Sequence, residues 1–272
     1  MKVNKIIAAI VVAAVCALSS AATAAPITTD IVFIVDESGS MGDIQANLRN
    51  NIGLFASILS AGGNVDARYG LVGYGNSAVV PRLLTDLTNP AAFALAAQNL
   101  VINGGTEPAF AASAFALNEL DGQSSLLSFR ANSLKNLIIL TDEPSNGDSF
   151  SGLFNGSPVT FATVDQLLTA NNALYNAVLR NANTIASIGG LATGHNGQVF
   201  DLNGLNTTNQ QVVQNFVNDF ATAKLKETID FCTANPTAPG CSGNVPEPAT
   251  LSLLAIGLAG VVSARRRRTR SN

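Results

Sequence analysis

The chain has almost no histidine, the residue that serves as the base in many hydrolases. It contains one histidine and no tryptophan in 272 residues. The single histidine, His195, lies among glycines and asparagine and is expected to be a solvated loop residue. A serine hydrolase would need it as the base, and the sequence has no G-x-S-x-G nucleophile elbow. These absences argue against that class of enzyme.

Cysteine is also scarce, with three residues in the chain. Cys16 lies in the apolar N-terminal segment, which leaves Cys232 and Cys241 in the stretch "FCTANPTAPGC". A short Pro/Gly-rich loop between two cysteines predicts a disulfide in an oxidising compartment. A two-cysteine metal site is the alternative, but no histidine or further cysteine is near.

Residues 1–24 have the pattern of a secretory signal peptide. Lys2 and Lys5 precede an apolar run, and the small residues "ATA" end it at Ala24. This order predicts export through the Sec translocon and cleavage by a signal peptidase. An uncleaved membrane anchor is the alternative, although the run is short for a membrane span.

The C-terminal segment, residues 246–272, combines three features in a fixed order. Pro246, Glu247 and Pro248 precede an apolar stretch at 249–264, and a cluster of arginines follows. Such a cluster is retained on the cytoplasmic side of a membrane, so the stretch reads as a transmembrane segment with the preceding chain outside. A Pro/Gly-rich linker is predicted before it, at 234–245.

This tail resembles the PEP-CTERM sorting signal of Gram-negative bacteria. The resemblance implies recognition by an exosortase and removal of the tail near Pro246–Pro248. The chain would pass the inner membrane transiently and reach the cell surface or matrix of an organism that makes extracellular polysaccharide. A simple one-pass membrane anchor is the alternative.

The charge balance of the body differs from that of the whole chain. Seven of the 15 basic residues lie in the signal segment and in the arginine cluster, so the range from Asp30 to Glu247 has eight basic and 18 acidic residues and a net charge of −10. An acidic body argues against a nucleic-acid partner and suits divalent cations.

The apolar patterning between the ends predicts one α/β domain at residues 25–233. Ile31–Val35 and Leu137–Leu140 are continuous apolar runs, typical of strands that helices cover on both faces. Strands alternate with helical patterns, which predicts a doubly wound, mostly parallel sheet flanked by helices.

Further elements follow from local pattern. Apolar spacing predicts helices over 44–59, 164–178 and 212–220. Strands are predicted at 66–75, at 78–83 on a sheet edge because of Pro81, at 184–190 and at 198–202. The stretch Ser145–Thr163 has no periodic spacing of apolar residues and is predicted to be a long functional loop.

Oxygen-bearing side chains follow the two apolar runs. In "IVFIVDESGSMG", Asp36 ends the first run, and Asp142 follows the second after Thr141. Parallel strands would bring both carboxylates to one edge, where they repel unless a positive charge intervenes. No lysine or arginine is near either in sequence, so a hard cation is expected, with oxygens from Ser38 and Ser40.

These residues resemble the metal-ion-dependent adhesion site of von Willebrand factor A domains. That pattern is Asp-x-Ser-x-Ser after the first strand, a threonine in a second loop and an aspartate after the fourth strand. It maps residue by residue onto Asp36, Ser38, Ser40, Thr106 and Asp142.

The resemblance spans roughly residues 30–230 and implies the Rossmann-like fold of that family. It also implies Mg²⁺, or Mn²⁺ or Ca²⁺, held by the serines and in one state by the threonine, with the aspartates acting largely through waters. An acidic group on a protein or matrix partner would complete the coordination. The family commonly has glycine after the last aspartate, whereas this chain has Glu143, which could occupy the metal site itself.

Three alternatives stay open beside this non-enzymatic, adhesive interpretation. Asp36 and the serines are also good helix caps. A haloacid-dehalogenase-type phosphatase would place an aspartate and Thr141 similarly, but Ser38 stands where its general acid is needed. A structural matrix protein with a purely structural metal is the third.

Overall fold

The computed structural model describes residues 25–61 and 64–241, and all structural statements below concern these residues. The predicted signal peptide at 1–24, the sorting segment at 246–272 and its apolar stretch at 249–264 lie outside them. None of the helices in the described ranges is both long and apolar enough to cross a membrane.

A six-stranded, mostly parallel sheet forms the centre of the domain, and a two-stranded hairpin lies apart from it. The strands are β1 (Ile27–Asp36), β2 (Val65–Tyr74), β3 (Arg82–Thr88), β4 (Leu134–Thr141), β5 (Leu153–Phe154), β6 (Ser157–Pro158), β7 (Leu174–Leu179) and β8 (Val199–Asp201). The order in the sheet is β3-β2-β1-β4-β7-β8, and within it only β3 runs antiparallel to its neighbour. The hairpin consists of β5 and β6.

Helices cover both faces of the sheet. They are α1 (Gly42–Leu59), α2 (Pro90–Ala96), α3 (Ala109–Ala116), α4 (Phe161–Ala170), α5 (Ala182–Thr184), α6 (Gly190–Gly194) and α7 (Gln210–Ala234). A π-helical turn, Ile185–Gly189, joins α5 to α6. The alternation of strands and helices confirms the predicted doubly wound α/β fold.

The alternation of side chains along β1 divides the core into two layers. Val32 and Ile34 pack with α3 and α4 on one face. Ile31, Phe33 and Val35 pack with α1 and α7 on the other. Both layers are apolar, which explains why β1 has no polar residue between Ile31 and Val35.

Two predicted elements are wrong. The stretch 184–190 is helical rather than a strand, because Asn181 caps the backbone N–H groups of Asn183 and Thr184. Ile188, Leu191 and Ala192 are then buried at helical spacing. The predicted helix over 164–178 ends at Ala170, and Leu174–Leu179 is the fully buried strand β7.

Two other elements are shifted. The predicted strand at 78–83 begins only at Arg82, although its edge position in the sheet is as expected. The predicted loop at 145–163 contains a 3₁₀ turn at Asp148–Phe150, the small hairpin and the first turn of α4. Thr160 caps that helix through the N–H of Thr163, which ends the irregular segment earlier than expected.

His195 is not the solvated residue that the sequence predicts. Only 8% of its surface is exposed, and its Nε2 lies 2.8 Å from Oδ1 of Asp165. The aspartate on α4 therefore anchors the end of α6, and no serine nucleophile takes part in this pair.

The described part of the predicted linker packs against the domain. Cys232 and Cys241 form a disulfide with Cα atoms 4.9 Å apart, and both side chains are buried. The carbonyl of Gly240 accepts a hydrogen bond of 3.0 Å from the N–H of Thr28 at the start of β1. Residues 235–241 thus close the domain at the end of the sheet where β1 begins.

Candidate functional site

Asp36 ends β1 with both carboxylate oxygens in use. Oδ1 accepts a 2.7 Å hydrogen bond from the N–H of Ser38, and Oδ2 accepts one of 2.9 Å from the hydroxyl of Thr141. The side chain is fully buried. Thr141 ends β4, the neighbouring parallel strand, so the carboxylate links the carboxyl ends of the two central strands.

A row of three oxygens lies next to this carboxylate, with the exposed Ser40 in the middle. The hydroxyl oxygens of Ser38 and Ser40 lie 3.1 Å apart, and the Ser40 hydroxyl donates to Oδ1 of Asp142 at 3.0 Å. Four of the five predicted site residues are thus brought together. They come from two turns that are distant in sequence.

The spacing of this row fits a small hard cation. Neighbouring oxygens around an octahedral Mg²⁺ with bonds of 2.0–2.1 Å lie about 3 Å apart. The two neighbouring separations in the row, 3.1 and 3.0 Å, match this value, and they are also those of ordinary hydrogen bonds. The described residues contain no group of three or more His, Cys, Asp or Glu suited to a metal. A cation at this edge would therefore depend on the serine hydroxyls.

Thr106 lies beside the row but is not part of its hydrogen bonds. It belongs to the loop before α3, which pairs with the serine turn through the N–H of Gly39 and the carbonyl of Gly104, 3.0 Å apart. A methyl group on Gly75 would lie 3.1 Å from the Thr106 carbonyl and 3.4 Å from Oδ1 of Asp36. It is therefore the backbone carbonyl of Thr106 that lies near the carboxylate of Asp36.

Gly104 makes this loop contact possible. A Cβ atom at this position would lie 1.7 Å from the carbonyl oxygen of Gly75 and 2.7 Å from Cα of Asn76. The loops that follow β2 and precede α3 can meet only when residue 104 has no side chain. At Gly105 a Cβ atom would meet nothing within 4 Å.

Two buried glutamates that the sequence analysis missed hold these loops. Glu37 accepts two hydrogen bonds from the guanidinium of Arg82, at 2.9 and 2.6 Å, and one from Asn76. Glu107 accepts one of 2.7 Å from Asn146. Both glutamates follow residues of the predicted motif directly in sequence, but nothing in the pattern distinguishes a buried glutamate from an exposed one.

Arg180 supplies a positive charge that the sequence did not lead us to expect. It follows β7, and its Nη1 donates to Oδ2 of Asp142 at 2.7 Å. The assumption that no cationic side chain neutralises the two aspartates is therefore wrong for Asp142. The adjacency of β4 and β7 explains it, because residues 38 positions apart meet at the same edge of the sheet.

Burial raises the pKa of several carboxyl groups here. The pKa of Asp36 is raised from 3.8 to about 7, chiefly by desolvation and opposed by the hydrogen bonds from Ser38 and Thr141. Desolvation also raises the pKa of Glu107 and of Asp148. Glu143, the departure from the family pattern, is exposed, and its charge adds to the raised pKa of Glu107.

We expect the protein to lose stability as pH rises from 5 to 8 when a chelator is present. The folded state holds the Asp36 proton up to about pH 7, whereas the unfolded chain releases it near pH 4, so the advantage is lost as pH rises through 7. The loss from this group is roughly 2–3 kcal/mol. Denaturant titrations at both pH values measure it.

Asp36→Asn should reduce that difference, while Asp43→Asn, at an exposed position in the first turn of α1, should leave it unchanged. A wild-type protein that is equally stable at both pH values would contradict the expectation.

Gly104→Ala should destabilise the protein by about 2 kcal/mol or more, because the added methyl group overlaps the Gly75 carbonyl and forces two loops apart. Gly105→Ala is the matched control and should change stability by less than about 0.5 kcal/mol. Denaturant midpoints compare the two variants. Equal effects would show that the contact between the loops is not tight.

Comparisons with solved structures agree with this architecture. The chain is 15% identical to a mutant of the PilB minor pilin from Streptococcus sanguinis, with a TM-score of 0.50 and coverage of 76% of this chain and 63% of that one. It is 13% identical to proximal thread matrix protein 1 from the mussel byssus, with a TM-score of 0.51 and coverage of 71% and 47%. This chain thus spans less than two thirds of the length of either protein, and the likeness concerns the fold.

Family comparisons are more specific. The model of the PEP-CTERM protein-sorting motif matches residues 244–268. No curated protein matches the chain significantly. The model of the von Willebrand factor type A domain matches residues 30–214, which is most of the chain, and the protein therefore belongs to that family.

Proposed function

We propose that this exported domain binds a divalent cation at the edge formed by β1 and β4 and, through it, an acidic group on a protein or matrix partner. The observation that carries the proposal is the row of Ser38, Ser40 and Asp142 oxygens, spaced by 3.1 and 3.0 Å. The ion is Mg²⁺ in the first instance, since this spacing suits its short bonds, with Mn²⁺ or Ca²⁺ as substitutes.

The donor set suits an ion that must still attract an outside ligand. Ser38 and Ser40 are neutral ligands, Asp36 has both oxygens engaged by protein groups, and Asp142 is the single carboxylate of the row. The ion would then keep a net positive charge, and an external carboxylate would be favourable as a further ligand. Thr106, on the adjacent loop, would approach the ion in one state of the site.

Export follows from the motif at the C-terminal end of the sequence. The PEP-CTERM motif implies sorting to the cell surface and processing by an exosortase. We further propose passage through the Sec translocon and a transient stage in the inner membrane. A domain placed outside the cell would meet the divalent cations of its surroundings and surface partners rather than nucleic acid.

Exposed apolar side chains near this edge of the sheet support a protein partner. They lie in four segments that connect strands with helices: Val80 after β2, Ile102 before α3, Phe150 after β4 and Ile185 in the π-helical turn after α5. Phe150 is the most exposed of them, at 79%. Apolar groups grouped around a polar centre are typical of protein-binding surfaces.

The proposed function is not enzymatic. A phosphatase of the haloacid dehalogenase type would need Asp36 as an accessible nucleophile, but the side chain is fully buried and hydrogen-bonded at both oxygens. Ser38 also offers no carboxyl group as the general acid.

Titration calorimetry with MgCl₂ tests the metal site. We expect the wild-type protein to release or absorb heat on binding one equivalent, and the double variant Ser38→Ala, Ser40→Ala to lose this heat because two oxygens of the row are removed. Ser57→Ala is the control, since its exposed hydroxyl bonds only to the carbonyl of Leu54 on α1. Equal heats in the wild-type and double-variant proteins would show that the serine hydroxyls do not bind the metal.

Retention on the cells that make the protein tests the adhesive role. We expect the wild-type protein to remain bound in Mg²⁺ and to be washed off by chelator, and Thr106→Ala to bind several-fold less. If the variant and the wild type are retained equally while both bind metal, the ion is structural and the partner does not contact it.

A further inference from the structure

The ion pair between Arg180 and Asp142 differs from the other buried pair near the site. Arg82 donates hydrogen bonds from two nitrogens to the carboxylate of Glu37 and a third to the carbonyl oxygen of Asn99. Arg180 uses one nitrogen on one oxygen of Asp142, at 2.7 Å, and 38% of its side chain is exposed. The Arg82 side chain is equally exposed, at 38%, so the two pairs differ in their bonding: three hydrogen bonds hold the guanidinium of Arg82, and one holds that of Arg180 among the described residues.

We propose that Arg180 is an intramolecular competitor of the cation. Its guanidinium occupies Oδ2 of Asp142 in the metal-free protein and lowers the affinity of the site for divalent cations. The inference rests on the proposed metal-binding function and concerns its regulation.

The sign of the effect follows from charge. A guanidinium stays protonated at every relevant pH and has only hydrogen-bond donors, so it can never be a metal ligand. It places a permanent positive charge on an oxygen next to the one that faces Ser40. An incoming dication would meet a carboxylate that is already neutralised and a repelling charge beside it. Glu107 and Glu143 oppose this repulsion without contacting the guanidinium.

A purely structural role for Arg180 is the main alternative, and other bonds already perform that role. The carbonyl of Asp142 accepts hydrogen bonds from Asn181 at 3.2 Å and from the hydroxyl of Thr184 at 3.1 Å. Its Oδ1 is held by Ser40. Asp142 would therefore stay in place without Arg180, and removing the arginine would free an oxygen rather than release the residue.

The consequence is a site whose occupancy responds to the cation concentration. Without Arg180 the site would stay loaded at lower cation concentrations, and partner binding would not respond to changes in the cation concentration. With Arg180 the ion exchanges more readily, and adhesion follows the concentration of divalent cations outside the cell.

Calorimetric titration of the purified protein with MgCl₂ tests this inference. We expect Arg180→Gln, which removes the charge and keeps a polar side chain, to bind Mg²⁺ at least tenfold more tightly than the wild type. Arg180→Lys, which keeps the charge, should stay within about threefold. Arg49→Gln is the matched control, because it removes one positive charge from α1 at a residue whose only side-chain bond is to Gln45.

Each outcome decides a separate point. If the wild type binds Mg²⁺ and Arg180→Gln binds equally or more weakly, the competition is overturned while the metal site stands. If only Arg180→Gln binds, the competition is supported in its strongest form. If neither binds, both proposals fail. A lysine variant as tight as the glutamine variant, or a glutamine variant that circular dichroism shows to be unfolded, also overturns the competition.

Discussion

The parallel pairing of β1 with β4 is the constraint on which the site depends. It brings Asp36 and Asp142 to the same edge of the sheet, in register from Thr29 with Leu134 onward. Two carboxylates at one edge are unfavourable until protons, hydrogen bonds or cations compensate them. The structure uses all three: burial favours the proton on Asp36, Thr141 and the serines donate, and Arg180 neutralises Asp142.

The loops around this edge are fixed by contacts outside the oxygen row. Glu37 joins the serine turn to Arg82 on the edge strand β3, and Glu107 joins the threonine loop to Asn146. Gly104 lets those loops meet backbone to backbone. Buried charges are costly unless fully paired, so each glutamate here favours one arrangement of the loops. The hydroxyls of Ser38 and Ser40 are positioned by this frame together with their bonds to each other and to Asp142.

The guanidinium of Arg180 and the proposed divalent cation compete for the carboxylate of Asp142. The guanidinium of Arg180 neutralises Asp142 in the metal-free protein, and a divalent cation would neutralise it in the metal-bound protein. Compensation of the Asp142 charge in both states would keep the fold unchanged between them, which would suit the proposed binding of a partner through the ion. The exposed apolar side chains at the same edge then supply area that the small polar centre lacks.

The sequence alone determined the fold class, the strands β1 and β4, and the grouping of Asp36, Ser38, Ser40 and Asp142, because unbroken apolar runs and the residues that end them are local features. It misassigned the strand at 184–190 and the helix over 164–178, where Asn181 caps a helix and the asparagines before β7 end one. Only the tertiary structure decided that Arg180 meets Asp142, that Glu37 and Glu107 are buried, and that Gly104 must lack a side chain. These contacts join residues far apart in the chain, and no local pattern of sequence encodes the distance between them.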